Sequence, residues 1–251
     1  MLSRLFRRFT GSGSVPTLLH LTHAKAGSTW ITVILHELFG DAVAPRGTRV
    51  AEASGGDLSQ HVFAAGQVYP SMFMTRAEVL AHTELDGSKR FVVIRDLRDT
   101  LAALYFSMKL SDSSSDAPFE IILPENDEAG LLKMLDARIE RIAAIQSSWL
   151  KQGEIVLHYE ELKEKEFDLL RDAFINRLGL PVSESALARA IRTAPSERGR
   201  RTGAIDWRNH FTPKVRERFA EKFGQVLIDA GYEKDFAWVH EPSSTQSPAS
   251  L

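Results

Sequence analysis

Three short stretches of this chain carry residues suited to holding an anion. The first is HAKAGSTW at 23–30, a glycine loop with Lys25, Ser28 and Thr29 around Gly27. Between a strand and a helix, such a loop presents backbone N–H groups and the positive end of the helix dipole to a phosphate or sulfate. Lys25 adds a point charge, the two hydroxyls add donors, and Trp30 adds a flat aromatic face. No GxxxxGK[ST] string occurs, and Lys25 precedes Gly27 instead of following it, so this is not the Walker sequence. The second stretch is FVVIRDLRDTLAALYFS at 91–107, where Arg95 closes an apolar strand. Ligands of open α/β sheets bind at that carboxyl edge. The third is GRRTGAIDWRNHF at 199–211, a glycine-punctuated loop with Arg200, Arg201 and Arg208. Each stretch has a plainer explanation: a tight turn beside a core tryptophan, an Arg95–Asp99 or Arg98–Asp99 surface pair, and a solvated basic loop. Three anion-suited pieces in one chain are harder to set aside.

The elements that must position these residues follow from the apolar patterning. TLLHLT at 17–22 reads as a strand, the HAKAGSTW loop follows, and WITVILHELFG reads as a helix ending at Gly40. Residues 41–66 read as loop, with a short strand near Val62. Thr75 and Glu78 form a capping box for a helix through about His82. FVVIR at 91–95 is apolar throughout, as a buried parallel strand should be, and a helical segment follows it. A long helix is expected over 127–151, a strand at EIVLHYE (154–160), helices around 167–178 and 183–192, and a last helix from the Thr212–Pro213 cap to about Ala230. Strands alternating with helices predict an α/β fold of three layers, α/β/α, with a central, mostly parallel sheet and a P-loop-like anion loop.

Composition sets the outer limits. The chain has 251 residues, a formal charge of −2, 43% apolar and 25% charged residues, which suits an ordinary globular protein. The charge balance argues against a nucleic-acid partner. With no cysteine, disulfides and thiolate metal sites are excluded, and no HExxH string or carboxylate cage suggests any other metal. One domain is expected over 15–235, between a basic arm at 1–14 and a disordered, Ser/Pro-rich tail at 236–251. Leu2, Leu5, Phe6 and Phe9 interleave with Arg4, Arg7 and Arg8, so residues 1–10 could touch an anionic membrane surface. No apolar run is long enough to span a bilayer, and a cytoplasmic protein, peripheral to the membrane if that arm binds lipid, is expected.

Taken in order, the motifs resemble the sulfotransferases of the cytosolic type, which use 3′-phosphoadenosine 5′-phosphosulfate (PAPS). HAKAGSTW resembles that family's 5′-phosphosulfate loop, usually PKSGTTW. VVIRDLRDTLAALY resembles its 3′-phosphate strand and helix, HYEEL at 158–162 its Tyr-Glu-Asp-Leu strand end, and RTGAIDWRNHF its late Arg-Lys-Gly…Gly-Asp-Trp-x-Asn stretch. The matches run from about residue 18 to 231.

The resemblance implies that Lys25, Ala26, Gly27, Ser28 and Thr29 hold the 5′-phosphosulfate and that Trp30 stacks on adenine, with Tyr159 at the adenine edge. It further implies that Arg95 binds the 3′-phosphate, joined by Arg200 or Arg201 and by Gly203. Sulfonate would pass from PAPS to a hydroxyl or amine of a small-molecule, glycan or lipid acceptor, leaving 3′-phosphoadenosine 5′-phosphate (PAP), with no metal required. Four departures stand out. Ala26 replaces the loop's usual serine, and Ala103 stands where the family places a serine, with Ser107 one turn on. The late motif is one residue short, so either Arg200 or Arg201 can take the clamp. The family's Lys-Thr-His string, which falls within HVFAAGQVYPSMF at 61–73, is missing. Alongside Lys25, His61 is then the first candidate for the catalytic base, being titratable near neutrality and opening that segment. Tyr69 and His23 are the other candidates, and Gln67 could orient a hydroxyl. His82 reads as a helix-surface residue. Two rivals remain: a relative that binds PAP without catalysis, and a P-loop kinase using ATP. The acceptor and the oligomeric state are not read from these motifs.

Overall fold

The structure is a computed structural model that describes residues 15–44, 62–111, 126–194 and 205–241. In chain order its elements are β1 (Leu18–Thr22), α1 (Ser28–Phe39), β2 (Val68–Met72), α2 (Arg76–Leu80), β3 (Lys89–Ile94), α3 (Leu97–Ser111), α4 (Asp127–Met134), α5 (Glu140–Trp149), β4 (Ile155–His158), α6 (Tyr159–Arg171), α7 (Glu184–Thr193) and α8 (Pro213–Asp229). They form two compact units. One takes the chain up to Ile94 together with the segment beginning at Lys151; the other takes Arg95–Leu150 and the C-terminal segment.

The first unit holds a parallel four-stranded sheet, order β2-β1-β3-β4, flanked by helices. All five β1 residues are buried, as are the last four of β3. Runs of this kind, apolar on both faces, are what a parallel sheet covered by helices requires. The α1 helix buries Trp30, Ile31, Ile34, Leu35, Leu38 and Phe39, spaced at helical period along one face. That face joins Leu18, Phe91, Leu157 and Phe174 in the core, together with Leu187 and Ile191 of α7. Each such side chain contributes roughly 1.5–3 kcal/mol of apolar burial. The Thr75 capping box is formed as expected: the hydroxyl accepts from Glu78 N–H and the Glu78 carboxylate accepts from Thr75 N–H.

Two expectations for this unit are corrected. The strand sought near Val62 lies instead at Val68–Met72, and Val62 is 83% exposed. Pro70 is tolerated there because β2 is the sheet's edge. The strand expected over 154–160 ends at His158, and Tyr159 already opens α6. His158 has extended backbone as the cap, and Glu160 and Glu161 follow in the first turn, where the helix dipole favours carboxylates.

In the second unit, the long helix expected over 127–151 is one helical run from Asp127 to Trp149, with a π turn at Leu135–Ile139. The Thr212–Pro213 start of α8 is as expected, with Thr212 Oγ1 accepting from Val215 N–H. Residues 237–240, expected within the disordered tail, are ordered. Ala237–His240 is a 3₁₀ turn, and Trp238 is buried.

Arg98 organises this unit. Its guanidinium, 1% exposed, donates from Nε and Nη2 to Asp96 and pairs through Nη1 with Glu233 at 2.6 Å. It lies over the rings of Trp207, at 4.1 Å from the centroid, and Trp238, at 4.6 Å. Burial works against its charge, but the two carboxylates outweigh that and hold its pKa above the usual arginine value. Arg98, for which a surface pair with Asp99 was one of the plainer readings, is therefore a buried keystone. Asp99 instead accepts the backbone N–H of Trp207 at 2.9 Å. Replacing Arg98 with Met would leave Asp96 buried without its counter-charge. We expect a stability loss of about 3–5 kcal/mol, measured by chemical denaturation.

Candidate functional site

In the first unit, the chain leaves β1 for β2 on one side and then crosses to β3 on the other. This is the topological switch of an open α/β sheet, where ligands sit beyond the strands' carboxyl ends. The HAKAGSTW loop is the β1–α1 connection at that point. Thr22 Oγ1 donates to Val93 C=O at 2.9 Å and ties the ends of β1 and β3 together.

The loop turns twice through left-handed backbone, with φ 66 at Lys25 and 80 at Gly27. Ala26 N–H closes the turn onto His23 C=O. Gly27 is the N-cap of α1, and among the described residues no side chain caps the helix. The first N–H groups of such a helix end, with the positive end of its dipole, are suited to an anion.

A second reason for glycine comes from α6. A Cβ on Gly27 would stand 2.9 Å from Cδ2 and Cε2 of Tyr159, with Trp30 Cε3 at 3.7 Å. The Tyr159 ring therefore lies directly on the loop's glycine, and Lys163, one turn along α6, holds its ammonium 5.6 Å from the ring centroid. Gly27, Trp30 and Tyr159, separate in sequence, form one cluster.

The other expected residues are placed as follows. Lys25 and Ser28 are half-buried, Ala26 is buried, and Thr29 is exposed. Trp30 is 4% exposed and belongs to the hydrophobic core, so its ring supports the turn from below. Arg95 is the first residue of the second unit, directly after β3, and is buried. His61, Arg200, Arg201 and Gly203 lie outside the described residues.

Among the alternative bases, Tyr69 is buried, and its hydroxyl accepts from Ala64 N–H at 2.6 Å while facing Gln67 Oε1 at 3.1 Å. Burial raises its pKa, so it keeps its proton. His23 is fully buried, and its Nδ1 lies 2.9 Å from Ala24 C=O, which makes that nitrogen the N–H donor. His82 is not a surface residue: it is buried edge-on to Phe63, with Nδ1 3.2 Å from Glu84.

Two residues near the loop were not anticipated. Ser71 at the end of β2 and Thr32 in α1 join hydroxyls at 2.9 Å, and both reach the carbonyl of Ser28. Thr32 lies one helical turn after Ser28, a spacing that the sequence did offer. Its link to Ser71 spans 39 residues and had no local signal.

Comparison with known proteins adds a likeness of fold. No protein-family profile matches the chain, and no curated protein matches it in sequence. Among solved structures, it is similar to mouse sulfotransferase SULT7A1 complexed with PAP, with a TM-score of 0.59. The fold is shared with a sulfotransferase. The match covers 86% of both chains at 16% identity, so the likeness is one of fold. The parallel sheet flanked by helices is thus an architecture that a known sulfotransferase also has. Among the described residues, no helix is long and apolar enough to cross a membrane, and no cluster of three or more His, Asp or Glu could hold a metal ion.

Gly27→Ala tests the loop. The new Cβ meets Tyr159 and forces alanine into left-handed backbone, at a cost of about 1–3 kcal/mol. Thermal melts should show that loss.

Proposed function

We propose that this protein transfers a sulfonate group from PAPS to a hydroxyl or amine of an acceptor. The observation that carries this reading is the uncapped N-terminus of α1, entered through left-handed Gly27 beneath Tyr159, at the switch point of a sulfotransferase-like sheet. An anion fits this cradle, because Gly27 offers no side chain and, among the described residues, no side chain caps the helix.

Sulfonate transfer by in-line displacement has a loose transition state, as phosphoryl transfer does, so catalysis is mostly positioning and electrostatics. PAPS supplies the activated sulfonate. Lys25 and the N–H groups of Ser28–Trp30 stabilise the negative charge that gathers on the departing phosphate oxygen. Tyr159 holds the nucleotide end of the loop in shape. Arg95 serves the 3′-phosphate, where a guanidinium's paired N–H groups distinguish this donor from ATP.

The late-loop arginines join it in this reading. Asp99 and Arg98 fasten Trp207 to the first turn of α3, and Arg201 is six residues upstream, within roughly 20 Å of extended chain. His61 is the base in this reading, a contribution typically worth about 10²–10⁴-fold. The acceptor is a small molecule, glycan or lipid.

One observation favours a second reading, a PAP-binding protein without catalysis. Within HVFAAGQVYPSMF at 61–73, the segment that resembles the family's Lys-Thr-His region, that string is missing, and Ser71, Met72 and Phe73 at the end of the segment are not general bases at neutral pH.

Calorimetric titration of the full chain with PAP and ATP tests the nucleotide. PAP should bind and ATP should bind more weakly; a preference for ATP would favour the kinase. Labelled PAPS incubated with phenols, sterols, sugars and amines separates transfer from binding alone. Lys25→Ala should lower turnover about 10²–10³-fold with the fold intact by circular dichroism. Arg95→Ala should weaken PAP binding about 10- to 100-fold, the worth of a lost charge-assisted contact.

A further inference from the structure

Strand β2 ends through a residue with unusual backbone. Ser71 has φ 58, although it is not glycine, and it is 3% exposed. A residue with a Cβ holds that conformation only where its surroundings enforce it.

Those surroundings are specific. Ser71 N–H donates to Nδ1 of His20 at 3.1 Å, which requires that this nitrogen carry no proton. The His20 ring is stacked on Phe91, with centroids 4.9 Å apart and planes 8° from parallel, so the acceptor is held rigidly in the sheet. On the other side, Thr32 Oγ1 donates to Ser28 C=O at 2.7 Å. Ser71 Oγ lies 2.9 Å from Thr32 Oγ1 and 3.2 Å from the same carbonyl, so its single proton is shared between them. The chain of contacts runs from the sheet core, through Ser71, to the first turn of α1.

Its end point is one peptide group. The carbonyl of Ser28 and the N–H of Thr29 belong to the same rigid plane and point in opposite directions. Two hydroxyls on the carbonyl therefore fix the direction of the Thr29 N–H, one of the donors left open at the α1 N-terminus.

We infer that Thr32 and Ser71 are positioning residues for the anion loop, keeping the Ser28–Thr29 peptide aimed at the sulfonate end of the nucleotide. This rests on the sulfotransferase reading above. A pair needed only to satisfy buried hydroxyls would be dispensable when both members become apolar, since no donor or acceptor is then orphaned between them. A positioning pair would not be.

The test uses the full chain and PAP as the probe, with Thr32→Val, Ser71→Ala, the double variant, and Thr32→Ser as the conservative control. Calorimetry should show PAP affinity reduced about five- to tenfold in Thr32→Val and Ser71→Ala, the effect of one lost hydrogen bond. The double variant should be no better than either, while Thr32→Ser stays within about twofold of the parent. The 15N order parameter of the Thr29 amide, read by NMR relaxation, should fall in the same three variants and not in Thr32→Ser. Parent-like PAP affinity and order in the double variant would overturn the inference. If the parent chain itself takes up no PAP, the sulfotransferase reading falls, and the order of the Thr29 amide decides the pair alone. Lower order in Thr32→Val and Ser71→Ala, with parent-like order in Thr32→Ser, would keep its role at the helix end, and unchanged order would remove it.

Discussion

The contact between Gly27 and the ring of Tyr159 is the constraint on which the first unit's site depends. It requires left-handed backbone at Gly27 and no side chain there, and it brings the start of α6 against the start of α1. Because α6 follows β4 and α1 follows β1, this one approach joins the ends of two non-adjacent strands in the order β2-β1-β3-β4. The bond from Thr22 to Val93 locks the intervening strand ends. The loop is thus framed from beneath by Trp30 and the core, and from the side by Tyr159. In the proposed transfer, donors preorganised in this way would require no rearrangement at the moment of reaction.

The second unit depends on a different interaction, the enclosure of Arg98 between two carboxylates and two indole rings. A buried charge is costly unless its donors are matched, and here Asp96 takes two of them in a fork. Asp96 also accepts Arg98 N–H at 2.8 Å, so the same carboxylate starts α3. The RDLRD string at 95–99 accordingly divides its labour. Asp96 and Arg98 build the helix start, Asp99 fastens the Trp207 turn, and Arg95 stands at the junction with β3.

Much of this was legible in the sequence, and the reasons are local. The β1–loop–α1 unit has an apolar run, a glycine and a helical stripe in succession. The Thr75 and Thr212 caps are set by residues three positions apart, so a short window contains the whole signal. The parallel sheet followed from strands without polar alternation. What was missed depends on distant partners. VYPSM has a proline and a serine and no alternation, and it becomes a strand because β1 offers it an edge. His82 looked solvent-facing because Phe63, which covers it, is 19 positions earlier. The roles of Thr32 and Ser71 exist only once β2 is beside α1, and nothing in either residue's neighbourhood announces the other.

The position of Pro70 has a consequence for association. Ala44 N–H donates to Val68 C=O at 2.9 Å on the side of β2 away from β1, and Pro70, two residues on, faces the same way. The outer rim of the sheet therefore has one of its hydrogen-bonding positions occupied by the chain's own return and another stripped of its donor. Rims left fully open invite a foreign strand to zip onto them, whether from a partner or from an aggregating copy. This one is closed to such annealing at its centre.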